Sequence, residues 1–247
     1  MTAAISPQRT DRLPWALLAY AVALAVLLLV PPFLMAPFGP PTGFTLQEAV
    51  DLLTPLIVLP LAWYVFDLTG GLRRMGALAF LVVAIVWTEG QAIHLATNAI
   101  GDAVPPDALD AFLLTAPGDL AHWFDEELSH WMWHLAWVAL SVLLLFAASR
   151  TPAVPGAGPS ITAAVAGLVH GLTFFIVTVE GVTTLLGIPA SIALLVWSAS
   201  LARRGLGGRP VVLFFLVSSI VSLIGYAGWA ALNGGTLPEF TKVGVSG

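Results

Sequence analysis

Apolar residues gather into seven long runs along this chain, and short polar segments separate the runs. A helix that crosses the hydrocarbon core of a membrane needs roughly 20 mostly apolar residues. Gly187 and Pro189 divide the fifth run from the sixth, because one helix over both would be too long for a single crossing. The pattern predicts an all-α bundle of seven transmembrane helices, at 14–36, 46–68, 75–100, 119–148, 160–184, 186–203 and 210–232.

The composition agrees with this prediction. Apolar residues make up 58% of the chain and charged residues 9%, and the mean hydropathy is +0.93, which is far above that of soluble domains. No polar stretch is long enough to bury a core of its own, so we expect residues 1–247 to form a single transmembrane domain. The chain contains no cysteine, which excludes disulfides and thiolate metal ligands.

The basic residues predict the orientation of the bundle. Cytoplasmic loops of membrane proteins carry an excess of Lys and Arg. Lys242 is the exception among the nine basic residues, and the other eight fall on one side of the predicted membrane: Arg9, Arg12, Arg73, Arg74, Arg150, Arg203, Arg204 and Arg209. We therefore expect a cytoplasmic N-terminus and an outside C-terminus, in a bacterial inner or plasma membrane.

The fourth run begins with a stretch that is unusually rich in ionisable residues, FDEELSHWMWH at 124–134. Ionisable side chains inside a membrane span are costly and mark functional sites. A rise of about 1.5 Å per residue places His94 about 9 Å, His130 about 15 Å, His134 about 21 Å and His170 about 20 Å below the outer face. We expect these histidines to face a common interior site that opens toward the outside.

Helical spacing predicts which of these side chains share a face. At about 100° per residue, Glu127, His130 and His134 fall within an arc of roughly 60°, and Glu126 and Ser129 flank it. The third span carries a polar stripe, and the fifth carries another that includes His170 and Glu180. The third-span stripe consists of Trp87, Gln91, His94, Asn98 and Asp102. Lipid cannot satisfy such groups, so the stripes are expected to face one another.

This set predicts a divalent transition metal, with Zn and Fe preferred. His130, His134 and His170 would supply three nitrogen ligands and leave one position open for water, as in catalytic zinc sites. Glu126 or Glu127 would then be the general base, with Ser129 as a further catalytic candidate. Alternatively, Glu127-x-x-His130 is the element found in di-iron bundles, with Glu89, His94 and Glu180 as irregular additional ligands.

The leading hypothesis is an integral membrane metal-dependent enzyme that acts on a lipid or another hydrophobic small molecule. Hydrolysis by metal-activated water is preferred to iron-dependent oxidation. A metal-ion or proton transporter that uses the same residues is the alternative, and a non-catalytic sensor or assembly subunit is a third. Nucleic acid is not expected as a partner, because the chain has neither a basic patch nor a phosphate-binding loop. The sequence leaves the oligomeric state open.

Overall fold

The computed structural model describes residues 7–39, 44–70, 74–152 and 160–244. Arg73 and the side chain of Arg9, both used in the orientation argument, lie outside this description. The described part is helical, and its only β pairing is an isolated bridge between Pro37 and Thr45. The helices are α1 Pro7–Leu29, α2 Leu46–Asp51, α3 Leu53–Leu68, α4 Arg74–Asp102, α5 Leu109–Leu113, α6 Ala116–His122, α7 His130–Arg150, α8 Ile161–Glu180, α9 Thr184–Ala202 and α10 Pro210–Leu232.

Seven helical stretches of the described residues are long and apolar enough to cross a membrane, which confirms the predicted number. The second and seventh predicted spans coincide with the observed ones, Leu46–Leu68 and Pro210–Leu232, and the others differ by a few residues at their ends. The longest stretch, Ala116–Arg150, joins α6 to α7 through a π-helix at Trp123–Ser129. The orientation of the bundle stays a prediction.

Helix α8 lies at the centre of the bundle and packs closely against α10. Gly167 and Gly171 lie one turn apart on the face of α8 that meets α10. A Cβ atom at Gly171 would lie 2.3 Å from the carbonyl oxygen of Ser218, and one at Gly167 would lie 2.5 Å from that of Phe214. Small residues spaced in this way let two membrane helices approach until their backbones touch. The spacing of Ser218, Ser222 and Gly225 predicts a packing surface on α10, and this surface meets α8 here.

The turn between α8 and α9 shows at which end of the bundle His130 and His134 lie. Gly181 follows the last residue of α8 and lies against the rings of His130 and His134. The part of α4 beyond His94, and the α6 and π-helical segment before His130, therefore extend past this end of α8. We call this the α8–α9 end of the bundle, and it is the end predicted to face outward.

The same turn contains a strained residue. Val182 has a φ of +52°, the left-handed region that β-branched residues rarely adopt, and its side chain is 58% exposed. Replacing Val182 with Asn, which tolerates this conformation, is expected to raise the free energy of unfolding by about 1 kcal/mol. Thermal unfolding in detergent would measure the gain, with Val182→Ile as a control that keeps the strain. Equal stability of the Val182→Asn and Val182→Ile proteins would contradict this account.

Candidate functional site

Three of the five histidines form a row between α4 and α7. The ring centroids of His94 and His130 are 5.2 Å apart, and those of His130 and His134 are 5.8 Å apart. Exposure falls along the row, since the side chain of His94 is 23% exposed, whereas His134 is fully buried. The row leads from the surface at the α8–α9 end into the interior of the bundle.

Each imidazole of the row has a polar neighbour at its Nδ1 atom. His94 Nδ1 lies 2.8 Å from Asp125 Oδ1, at an angle too oblique for a well-formed hydrogen bond. His130 Nδ1 lies 2.9 Å from the carbonyl oxygen of Glu126, which can only accept, so this nitrogen carries the proton. His134 Nδ1 lies 2.6 Å from the hydroxyl of Thr183. In this arrangement the Nε2 atom of His130 carries the free lone pair.

The turn between α8 and α9 holds the inner end of the row. A Cβ atom at Gly181 would lie 2.7 Å from Cε1 of His134, so only glycine permits this approach. The Thr183 hydroxyl also lies 3.5 Å from the carbonyl oxygen of Thr178, to which it donates. We assign the Nδ1 proton of His134 to its contact with Thr183, which leaves the Thr183 hydroxyl proton for the Thr178 carbonyl oxygen. Gly181 and Thr183 were not found by sequence reasoning, because nothing in their local pattern indicates a contact with α7.

The π-helix decides which carboxylates join the site. A wider turn rotates each residue by less than the 100° of an α-helix, so faces assigned by α-helical spacing do not hold in this segment. Asp125 consequently faces His94, and Thr97 donates to Asp125 Oδ1 over 3.1 Å. Glu127, predicted on the histidine face, is exposed, while Glu126 is half-buried. Ser129 is buried and donates to the backbone carbonyl of Asp125 within its own helix.

Carboxylates from α2 lie beside the outer part of the row. Glu48 is fully buried; it accepts from the backbone of Thr45 over 2.6 Å and from Asn98 over 3.2 Å. Asp51 is 6% exposed and interacts electrostatically with His94. The sequence indicates the capping box of Thr45 and Glu48, which the structure confirms. It does not indicate that this helix start meets α4.

A cavity of about 210 Å³ opens next to Asp125, between the end of α4 and the α5–α6 segment. Thr97, Asn98, Asp102, His122 and Asp125 supply its polar wall, while Leu109, Phe112 and Leu113 supply an apolar one. Asp125 therefore lies between this cavity and His94, the outermost histidine of the row.

His170 lies apart from the row. Its Nε2 accepts from Trp137 Nε1 over 2.8 Å, and its Nδ1 lies 2.8 Å from the hydroxyl of Ser218. It lies eleven residues before Gly181, about 16 Å along the axis of α8, and Gly181 is where His134 makes its contact. Both ring nitrogens therefore have protein partners, and the structure does not bring His170 to His130 and His134 as the sequence prediction required.

Two further predicted ligands also lie elsewhere. Glu89 is exposed on the side of α4 that faces away from Trp87 and Gln91. Glu180 binds the C-terminal segment, where it accepts from the backbone of Phe240 over 2.8 Å and from the hydroxyl of Thr241 over 2.5 Å. Its carboxylate thus fastens the chain after α10 to the end of α8.

Within the described ranges, no group of three or more His, Asp or Glu residues is arranged to hold a metal ion. The inner end of the row instead carries polar atoms without partners. His134 Nε2, Trp87 Nε1, Trp133 Nε1 and Gln91 Oε1 are all buried and make no hydrogen bond. Buried unpaired groups of this kind cost roughly 1–3 kcal/mol each, so several in one place call for a functional explanation.

Comparison with known proteins gives no relative from which a role could be transferred. No family model matches the chain, and no curated protein or solved structure matches it significantly. The site is therefore interpreted from its own geometry.

Proposed function

We propose that the protein is an integral membrane enzyme that acts on a lipid or another hydrophobic molecule, with His134 as the general base. The observation that carries the proposal is the unpartnered Nε2 atom of His134, fully buried at the inner end of the histidine row. A histidine whose Nδ1 is held and whose Nε2 is free has the form that general bases require. The Thr183 hydroxyl binds Nδ1 of His134 in this way.

The other histidines of the row can carry the proton from His134 to the exterior. His134 takes a proton from a substrate hydroxyl or a water molecule and becomes an imidazolium in the bundle interior. His130 and His94 follow at ring distances of 5.8 and 5.2 Å, which one water molecule can bridge. Asp125 at the cavity is the last acceptor before the exterior. The proton thus leaves at the α8–α9 end while the substrate stays in the bundle.

Transport across the membrane is less well supported by the same residues. Beyond Trp137 the described interior is mostly apolar, with side chains such as Leu140, Leu144 and Leu145 from α7. The buried hydroxyl groups of Ser141 and Ser198 there donate to backbone carbonyl oxygens of their own helices. A proton or a metal ion has no series of polar groups to follow through this region. The row thus resembles the relay of a catalytic site that opens at one end.

A metal-dependent hydrolase is the second candidate, and the fixed Nδ1 atoms favour it. Metal-ligating histidines usually donate their other ring nitrogen to a carboxylate, a carbonyl or a similar acceptor, as His130 does here. Nδ1 of His94 lies 2.8 Å from a carboxylate oxygen of Asp125. It ranks second because the donors do not form a metal-holding group within the described residues. Elemental analysis of the purified protein separates the candidates. If the protein contains stoichiometric Zn, Fe, Mn or Cu and His134→Asn loses it, a metal-bound water takes the role proposed here for the general base.

The enzyme proposal is tested with protein in lipid nanodiscs, incubated with a lipid extract of the source membrane and followed by untargeted mass spectrometry. His134→Asn is the informative variant, because the Asn side-chain nitrogen can replace Nδ1 at Thr183 but nothing replaces Nε2. We expect product formation to fall by about 10²–10⁴-fold, the range for a lost general base.

Two acidic positions provide a matched comparison. Asp125→Asn should slow the same conversion, because it removes the acceptor at the outer end of the row. Asp119→Asn, an exposed position on α6 outside the cavity wall, should leave it unchanged. Conversion that continues at the wild-type rate in a folded His134→Asn protein would rule out His134 as the base.

A further inference from the structure

Four buried side chains that each carry one polar atom without a hydrogen-bond partner lie together where α4 meets α7. The ring centroids of Trp87 and Trp133 are 6.0 Å apart, and Trp133 adjoins His134 at 3.9 Å. Gln91 lies one turn from Trp87 on the buried face of α4. All four are at least nine-tenths buried, with exposures of 0% for Trp87 and His134, 4% for Gln91 and 5% for Trp133.

The remaining buried atoms without a hydrogen bond lie outside this group. Within the described chain they belong to His94, whose Nδ1 lies against Asp125, and to Tyr20 and Arg209 in other regions of the bundle. The concentration of four such side chains in one place is therefore a local property of the α4–α7 contact.

The chemistry of these atoms defines what can bind them. Both indole nitrogens can only donate, and Gln91 Oε1 can only accept. With its Nδ1 proton directed to Thr183, Nε2 of His134 accepts as well. A ligand for this place must therefore accept from two donors and donate to an oxygen or a nitrogen. A hydroxyl group has two lone pairs and one proton, and it meets this demand.

Charged head groups fit less well. A carboxylate could accept from the indoles, but it would lie in the bundle interior with no cation beside it. The described Arg side chains lie near the opposite end, and Lys242 is paired with Glu239 in the C-terminal segment. An ammonium group would face two N–H donors. Burying an unpaired charge costs far more than burying a hydroxyl group.

We infer that this cluster, Trp87, Gln91, Trp133 and His134, binds the hydroxyl group of a hydrophobic alcohol. The hydroxyl oxygen accepts from Trp87 and Trp133, and its one proton is shared between Gln91 Oε1 and Nε2 of His134 in a bifurcated hydrogen bond. The inference rests on the proposed function and deepens it, because it names the substrate class and the atom from which His134 removes a proton. Only the O–H bond breaks in this step, and the proton passes to the imidazole.

The test uses photoreactive long-chain probes on the full protein in nanodiscs. A diazirine-bearing alcohol is compared with its methyl ether, which cannot donate, and with the amine and the carboxylic acid of equal chain length. We expect the alcohol to label peptides of α4 and α7 around the cluster at concentrations where the other three do not. Loss of one buried hydrogen bond, about 1.4 kcal/mol, corresponds to about tenfold weaker labelling.

Variants identify the groups responsible. Trp133→Phe and Gln91→Leu should each shift half-saturation of alcohol labelling about tenfold higher. Trp131→Phe is the matched control, since Trp131 lies two residues away on α7 and is 41% exposed. If Trp133→Phe does not fold, Gln91→Leu still tests the inference. Equal labelling by all four probes, or alcohol labelling unchanged in Gln91→Leu, would overturn the inference.

The labelling test can fail or succeed independently of the conversion test of the proposed function. Selective alcohol binding without any conversion that depends on His134 would support the site and remove the enzyme. Conversion of a substrate that has no hydroxyl group, together with unselective labelling, would support the enzyme and overturn the alcohol site.

Discussion

Replacing Gly171 with alanine is expected to lower the free energy of unfolding by about 3 kcal/mol or more. This is the upper end of the range for groups added to a well-packed interior. The new Cβ atom would lie 2.3 Å from the Ser218 carbonyl oxygen and 2.8 Å from the Ser218 Cα. These are backbone atoms, which cannot move aside as a flexible side chain can, so α8 and α10 would have to separate. That separation would also break the hydrogen bond from Ser222 to the Gly171 carbonyl oxygen, 2.9 Å in the native fold.

Thermal unfolding in detergent, with size-exclusion chromatography as the second readout, measures this effect. Gly228→Ala on α10 is the matched control, because no atom lies within 4 Å of a Cβ built there. Alanine is the better helix former, so we expect this control to be neutral or slightly stabilising. A Gly171→Ala protein as stable as Gly228→Ala would show that the two helices are not in backbone contact.

Replacing His170 with leucine is expected to cost about 2–4 kcal/mol of stability, because it leaves two buried groups without partners. Trp137 Nε1 and the Ser218 hydroxyl each bind one nitrogen of this ring, and the ring itself packs among Tyr20, Phe214 and Phe215. The histidine therefore connects α1, α7, α8 and α10. Leucine fills much of the space but can bind neither group.

A double-mutant cycle separates this hydrogen bond from the packing. Trp137→Phe removes the indole donor, so adding it to His170→Leu should cost less than it costs alone, by about 1 kcal/mol. The activity of the folded fraction should stay unchanged in His170→Leu, because this residue lies apart from the row. Additive destabilisation would contradict the hydrogen bond, and a loss of bound metal in the His170 variant would restore the three-histidine site predicted from the sequence.

The contrast between His170 and His134 shows where sequence reasoning succeeded and where it failed. Both are histidines in apolar spans, and the sequence correctly marked both as interior positions. The structure gives His170 two protein partners and leaves one nitrogen of His134 free. That difference depends on which helix lies opposite each ring. Such a neighbour cannot be read from the spacing of residues along one helix.

The carboxylates give a second example. The sequence placed Glu127 on the face of His130 and His134 by assuming α-helical rotation through residues 124–134. The π-helix at Trp123–Ser129 changes the rotation, so Asp125 faces His94 and Glu127 becomes exposed. No residue in this segment indicates a π-helix by itself, because the wider turn is stabilised by its contacts with neighbouring elements. Glu48 and Asp51 were missed for a related reason, since they reach the site only through the packing of α2 beside α4.

The sequence by itself determined that the described chain is helical and that seven stretches can cross a membrane. It also determined that the histidines and most carboxylates within the spans, apart from His170, lie toward one end of the bundle. Length and hydrophobicity of a run are local properties, and the thickness of a bilayer converts them directly into helices. Tertiary structure alone decided which imidazoles meet, which ring nitrogens stay free and which acid faces them. Those outcomes depend on helix rotation and on contacts between residues far apart in the chain, such as Gly181 against His134 and Thr183 against the same ring.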